Sequence, residues 1–77
     1  MVYEMECQPT AMEIVVNGEP RRAPAGLTIL GLLEELRLEP ARVAVELDRR
    51  IVKQAEWAYR ELGPGAKLEI VQFVGGG

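Results

Sequence analysis

The sequence predicts a small α+β domain, a mixed sheet of about five strands with one main helix on one face. Three observations lead there. Met12-Glu13-Ile14-Val15-Val16 alternates with β-branched residues and stops at Asn17-Gly18. Ile29, Leu32, Leu33 and Leu36 fall at i, i+3, i+4 and i+7, one apolar stripe of a helix. Lys67 to Val74 alternates again and runs without a turn into Gly75-Gly76-Gly77. Residues 12–74 are thus expected to form the domain, residues 1–11 a flexible extension, and residues 75–77 a flexible glycine tail.

Each element has a local cause. Residues 1–11 show no sustained period and end in a Pro-Thr-Ala run, so they are placed outside the core. Asn-Gly between apolar runs is the strongest short hairpin signal, because both central residues of a type I′ turn need positive φ. Glu19-Pro20-Arg21-Arg22-Ala23 then returns as a second strand. Pro20 cannot donate to a ladder, and with two arginines following, this strand belongs at a solvated sheet edge. Pro24 to Leu27 is a loop and Thr28 a favourable N-cap. The helix after it is expected to run about three turns and stop near Leu38 or Glu39, since Pro40 disfavours helix in its predecessor. Gly31 inside it costs roughly 1 kcal/mol relative to alanine and is accounted for only by close packing against a strand.

Val43, Val45 and Leu47 alternate inward along Arg42–Leu47. Asp48-Arg49-Arg50 makes a turn, and Ile51-Val52 a short strand. Ala55 to Tyr59 suits a single turn that lays Trp57 on the core. Leu62-Gly63-Pro64-Gly65 turns the chain into the last strand, with Leu68, Ile70 and Val74 facing in and Val71 and Phe73 facing the other way. The order β-β-α-β-β-β, with the first and last strands parallel at the centre, is that of a β-grasp fold. One helix cannot cover both faces, so the second face, carrying Val15, Val71 and Phe73, is expected to expose apolar surface beside the tail, as protein-contact surfaces do.

Size and composition exclude several classes of function. A chain of 77 residues buries only roughly 60% of its unfolded surface, and a core of this size supplies on the order of 3–5 kcal/mol. A deep catalytic cleft does not fit. Nine basic and twelve acidic residues give a net charge of −3, which disfavours nucleic acid or an anionic membrane as partner. It suits a basic surface on another protein. With no histidine and one cysteine, the residues for Cys/His zinc sites, internal disulfides and histidine triads are missing. Cys7 stands beside Glu4 and Glu6, whose charges work against thiolate formation. No apolar run reaches membrane-spanning length and the first residues lack a signal-peptide pattern, so the expected compartment is the cytoplasm.

That leaves the tail. Glycine reaches backbone conformations closed to other residues, and without side chains Gly75-Gly76-Gly77 can thread a slot too narrow for alanine. What it delivers is one chemical group, the α-carboxylate of Gly77.

Residues 12–77 resemble the ThiS family of ubiquitin-like sulfur carriers of thiamin thiazole biosynthesis. The resemblance lies in Met12-Glu13-Ile14-Val15-Val16-Asn17-Gly18, in Gly26-Leu27-Thr28-Ile29 leading to Leu32-Leu33, and in Val43-Ala44-Val45-Glu46-Leu47. It continues through Ile51-Val52, Glu56-Trp57, Gly63-Pro64-Gly65 and Val74-Gly75-Gly76-Gly77. Lys53 departs from it by standing where many relatives have proline, which implies a looser turn before Trp57. The residues 1–11 are extra.

The resemblance implies a carrier rather than a catalyst, with no catalytic or metal-binding residue and no cofactor of its own. A ThiF-like adenylyltransferase would use ATP and Mg to convert the Gly77 carboxylate into an acyl-adenylate. A sulfur donor such as a cysteine desulfurase would replace AMP to leave a thiocarboxylate, and a ThiG-like thiazole synthase would consume it. Gly75 and Gly76 would be the threading segment, and Val71, Phe73 and Val15 the docking contacts. Three other readings share the tail: a MoaD-like small subunit of molybdopterin synthase, a carrier for tRNA thiolation or cysteine synthesis, and a ubiquitin-like modifier joined to lysines. A plain interaction module with an inert tail is a fourth.

Overall fold

The computed structural model describes residues 11–73. Strands β1 (Ala11–Val16) and β2 (Glu19–Pro24) form a hairpin, followed by helix α1 (Ile29–Glu35), β3 (Val43–Leu47), β4 (Arg50–Ile51) and β5 (Lys67–Gln72). Short 3₁₀ turns at Pro40–Arg42 and Gln54–Glu56 complete the connections. The five strands lie in the order β2-β1-β5-β3-β4, with β1 and β5 parallel at the centre and the other pairs antiparallel. This is the β-grasp arrangement expected from the sequence.

The hairpin forms as its residues dictate. Val16 pairs with Glu19, leaving a two-residue loop with Asn17 at φ 51° and Gly18 at φ 84°, the left-handed pair a type I′ turn requires. β2 is an edge strand, but its two arginines differ. Arg22 is exposed, whereas Arg21 is half-buried and reaches Glu35 at the end of α1, Nη2 to Oε1 3.5 Å. Register explains this: Arg21 pairs with the fully buried Ile14 and therefore shares its face.

α1 starts where expected, with the Thr28 Oγ1 accepting from the Gly31 N–H at 3.0 Å. It ends sooner, after two turns rather than three, with Leu36 as C-cap. The Leu38 N–H donates to the Leu33 carbonyl and the Arg37 N–H to the Glu34 carbonyl, and Arg37 takes φ 60°. That is a Schellman closure with a left-handed residue just past the cap. Pro40 therefore opens the next 3₁₀ turn and does not set the helix end.

The account of Gly31 also changes. A Cβ there would meet Leu27 Cδ1 at 2.9 Å and Thr28 Oγ1 at 3.3 Å, so the crowding comes from the N-cap loop and not from a strand. Two boundaries shift as well. Ala11 already pairs with Pro24 inside β1, and the short fourth strand is Arg50–Ile51, leaving Val52 to bury its side chain beyond it.

The core lies between the sheet and α1. Ile14, Val43, Val45, Leu68 and Ile70 from the strands meet Ile29, Leu32 and Leu33 from the helix, all buried. Trp57 closes one end, 3% exposed, and its indole N–H donates to the Val52 carbonyl at 2.9 Å. Without such a partner the buried indole N–H would cost free energy.

Candidate functional site

The inward set leaves its alternate residues on the far side of the sheet, the face that α1 does not cover. The β3–β5 register places Ala44 opposite Val71 and Glu46 opposite Glu69, with Ile51 of β4 opposite Glu46. β5 extends past the end of β1, and the Phe73 N–H still donates to the Arg42 carbonyl at 2.8 Å. Phe73 is thus held as a continuation of the strand, one side chain beyond Val71 on the same face. Val71 is 58% exposed, Phe73 55% and Ile51 76%. Large apolar side chains grouped on one exposed face are a mark of contact surfaces.

Of the predicted site residues, Val71 and Phe73 stand together and open to solvent. Val15 does not join them. It is half-buried and pairs with Lys67 at the opposite end of β5, and the charged side chains of Lys67 and Glu69 alternate along the strand between it and Val71. The apolar surface expected from Val15, Val71 and Phe73 is in fact divided in two, with the exposed part at the end where β5 leads toward the tail. Gly75, Gly76 and Gly77, and the inward position assigned to Val74, lie outside the described residues.

Sequence reasoning missed Ile51 as part of this surface and did not see that Glu46 and Glu69 face each other. Neither is legible locally, because both depend on which residue of β3 stands against which residue of β5. On the helix side, a groove of about 490 Å³ opens between the first hairpin and the end of α1, lined by Val16, Pro20, Arg21, Leu36 and Leu38 among others. It contains no nucleophile. Among the described residues no group of three or more His, Cys, Asp or Glu side chains is placed to hold a metal ion, and no helix is long and apolar enough to cross a membrane.

Residues 14–77 match the ThiS family. A protein named thiazole synthase from Paramagnetospirillum magneticum is 44% identical over 66 residues, 86% of this chain but 20% of that protein, so the chain spans about a fifth of that relative's length. The sulfur carrier protein ThiS of Escherichia coli is 30% identical over 66 residues, 86% of this chain and the whole of that protein. The crystal structure of the thiamine biosynthesis protein ThiS from Geobacter metallireducens superposes with a TM-score of 0.74 at 28% identity, covering 86% of this chain and all of that one.

Proposed function

The chain belongs to the ThiS family, and on that footing we propose that it is a sulfur carrier for thiazole formation in thiamin biosynthesis, with Gly77 as the loaded residue. The observation that carries the reading is the run of the family match through residue 77. It joins the exposed pair Val71 and Phe73 to the glycine tail that follows them in sequence.

The chemistry needs nothing from this chain except a reachable carboxylate. A carboxylate is a poor electrophile. Its oxygen attacks the α-phosphorus of ATP, pyrophosphate leaves, and the resulting mixed anhydride has AMP as a good leaving group. A persulfide-class donor then attacks the acyl carbon and AMP departs with the bonding pair; a thiol reductant cleaves the remaining S–S bond to leave the thiocarboxylate. The nucleotide, the metal and the catalytic groups belong to an adenylyltransferase of the ThiF type, and the loaded tail is consumed by a thiazole synthase. In this scheme Gly75 and Gly76 thread the partner's channel, while Val71 and Phe73 seat the domain at its mouth. Val15, half-buried and remote from that end, plays no part in the seating.

Incubating the full chain with the adenylyltransferase, ATP-Mg and a sulfur donor tests the scheme by intact mass. The expected result is a gain equal to exchange of one oxygen for sulfur, absent when Gly76 and Gly77 are deleted. An unchanged mass, or lysine-linked conjugates in its place, overturns it.

A further inference from the structure

The groove of about 490 Å³ between the first hairpin and the end of α1 takes no part in the carrier chemistry. Its walls are apolar at Val16, Leu36 and Leu38, each half-buried and packed against the core from one side only. Arg21 lies across it, and the guanidinium is poorly served. Nη2 reaches Glu35 Oε1 at 3.5 Å, beyond the usual hydrogen-bond range, and Nε is sealed from water with no partner among the described residues. The Nε–H and one Nη2–H point the same way along one edge of the guanidinium plane, where a single carboxylate can accept two parallel bonds. Glu35 fills half of that fork, at long range. A buried donor left unpaired carries its full desolvation cost, so a carboxylate that completed this edge would gain more than one meeting a solvated arginine. The present pair, 37% and 40% exposed at its side chains, gives way at little cost, as screened surface pairs do.

We propose that residues 1–10 of this chain pass along the outer edge of β2 and occupy the groove, a carboxylate of Glu4 or Glu6 completing the Arg21 fork while Val2, Tyr3 and Met5 supply apolar cover for Val16, Leu36 and Leu38. The inference stands apart from the carrier reading, because the groove is on the helix side of the sheet and Val71 and Phe73 are on the other. Position, length and charge select this occupant. Ala11 pairs with Pro24, so the preceding residues join the fold beside the end of β2, the outer strand of the sheet. Arg21 stands three residues back from Pro24 along β2, about 10 Å away, and the far wall at Glu19 about 17 Å. Ten residues extend to about 33 Å, which leaves enough chain to round the edge. The charged residues of that segment are Glu4 and Glu6 alone, whereas Arg21 and Arg22 stand together in the middle of β2. The outer edge of a sheet also presents backbone groups that a neighbouring segment can pair with. The family match begins at residue 14, so the chemistry shared by the family does not employ this segment. A domain with so small a core gains stability from such added cover.

The test uses the full chain, followed by NMR and thermal melting, with Glu4→Gln plus Glu6→Gln as one variant, Arg21→Gln as a second and all three substitutions as a third. The Arg21 Nε–H signal of the parent is expected to be protected from solvent exchange. It should shift, together with the methyl signals of Leu36 and Leu38, when Glu4 and Glu6 are replaced. Each of the first two variants is expected to melt about 4–8 °C lower, and the triple variant no lower than Arg21→Gln alone, as groups sharing one interaction do. An arginine that serves only its pair with Glu35 would couple to Glu35→Gln instead and leave the Leu36 and Leu38 signals indifferent to residues 4 and 6; that result overturns the inference. Shifts that appear only as protein concentration rises assign the groove to a second copy and defeat it equally. Sulfur loading by the variants is expected to match the parent, and its loss would place the segment in the carrier machinery, against the inference.

Discussion

Asn17 and Ile70, fifty-three residues apart, are joined by two hydrogen bonds: Asn17 Oδ1 accepts from the Ile70 N–H at 2.7 Å, and Asn17 Nδ2 donates to the Ile70 carbonyl at 3.2 Å. The side chain does what another strand residue would do, continuing the β1–β5 ladder for one step after β1 has turned away. Asp48 does the same on the other flank, where its N–H donates to the Lys67 carbonyl and its Oδ1 accepts from the Lys67 N–H. Both residues have left-handed backbones, at φ 51°. The two hairpin turns thus clamp the central strand that carries Val71 and Phe73.

Removing the Asn17 clamp should be separable from removing its turn. Asn17→Gly keeps the positive φ and loses both side-chain bonds, for a cost of about 1–3 kcal/mol. Asn17→Ala adds the strain of a left-handed alanine, about 1 kcal/mol more. Urea unfolding of the two variants should rank parent, glycine, alanine; a glycine variant as stable as the parent would show that the clamp contributes nothing.

Trp57→Phe should destabilise by about 1–3 kcal/mol, because it leaves the Val52 carbonyl without its buried donor. Trp57→Ala opens a cavity worth about 3–5 kcal/mol, comparable with the whole stability expected of a domain this small, and should leave the chain largely unfolded. Far-UV circular dichroism is the readout, since the tryptophan signal goes with the residue.

Lys53 already has the backbone that a proline would adopt. Its φ is −69° and ψ 146°, and its N–H makes no backbone hydrogen bond among the described residues. Lys53→Pro should therefore stabilise by about 0.4–1 kcal/mol through the unfolded chain, raising the melting temperature by about 2–8 °C for a domain of this size. A lower melting temperature would mean that the backbone at residue 53 does not accept proline without strain.

Phe73→Asp and Val71→Asp remove exposed apolar surface and should change stability by no more than about 0.5 kcal/mol. The Phe73 N–H bond to Arg42 survives, being made by the backbone. Capture by the thiazole synthase should fall sharply for both variants. Binding equal to that of the parent would exclude this end of the sheet as the docking surface.

Local chemistry in the sequence determined the turn at Asn17-Gly18, the cap at Thr28, the edge position of the strand with Pro20, the inward alternation at Leu68 and Ile70, and the plug at Trp57. Each rests on a residue acting on its own few neighbours, so no distant partner is needed to read it. The tertiary structure decided what depends on partners far along the chain. It set the early end of α1 with Arg37 in a left-handed conformation, a turn at Asp48-Arg49 with two positive φ values and no glycine, and the separation of Val15 from Val71. The opposition of Glu46 and Glu69 is of the same kind. Register between β3 and β5 is chosen by burial of Val43, Val45, Leu68 and Ile70 together, and a slip of one residue would turn every one of those side chains to the other face.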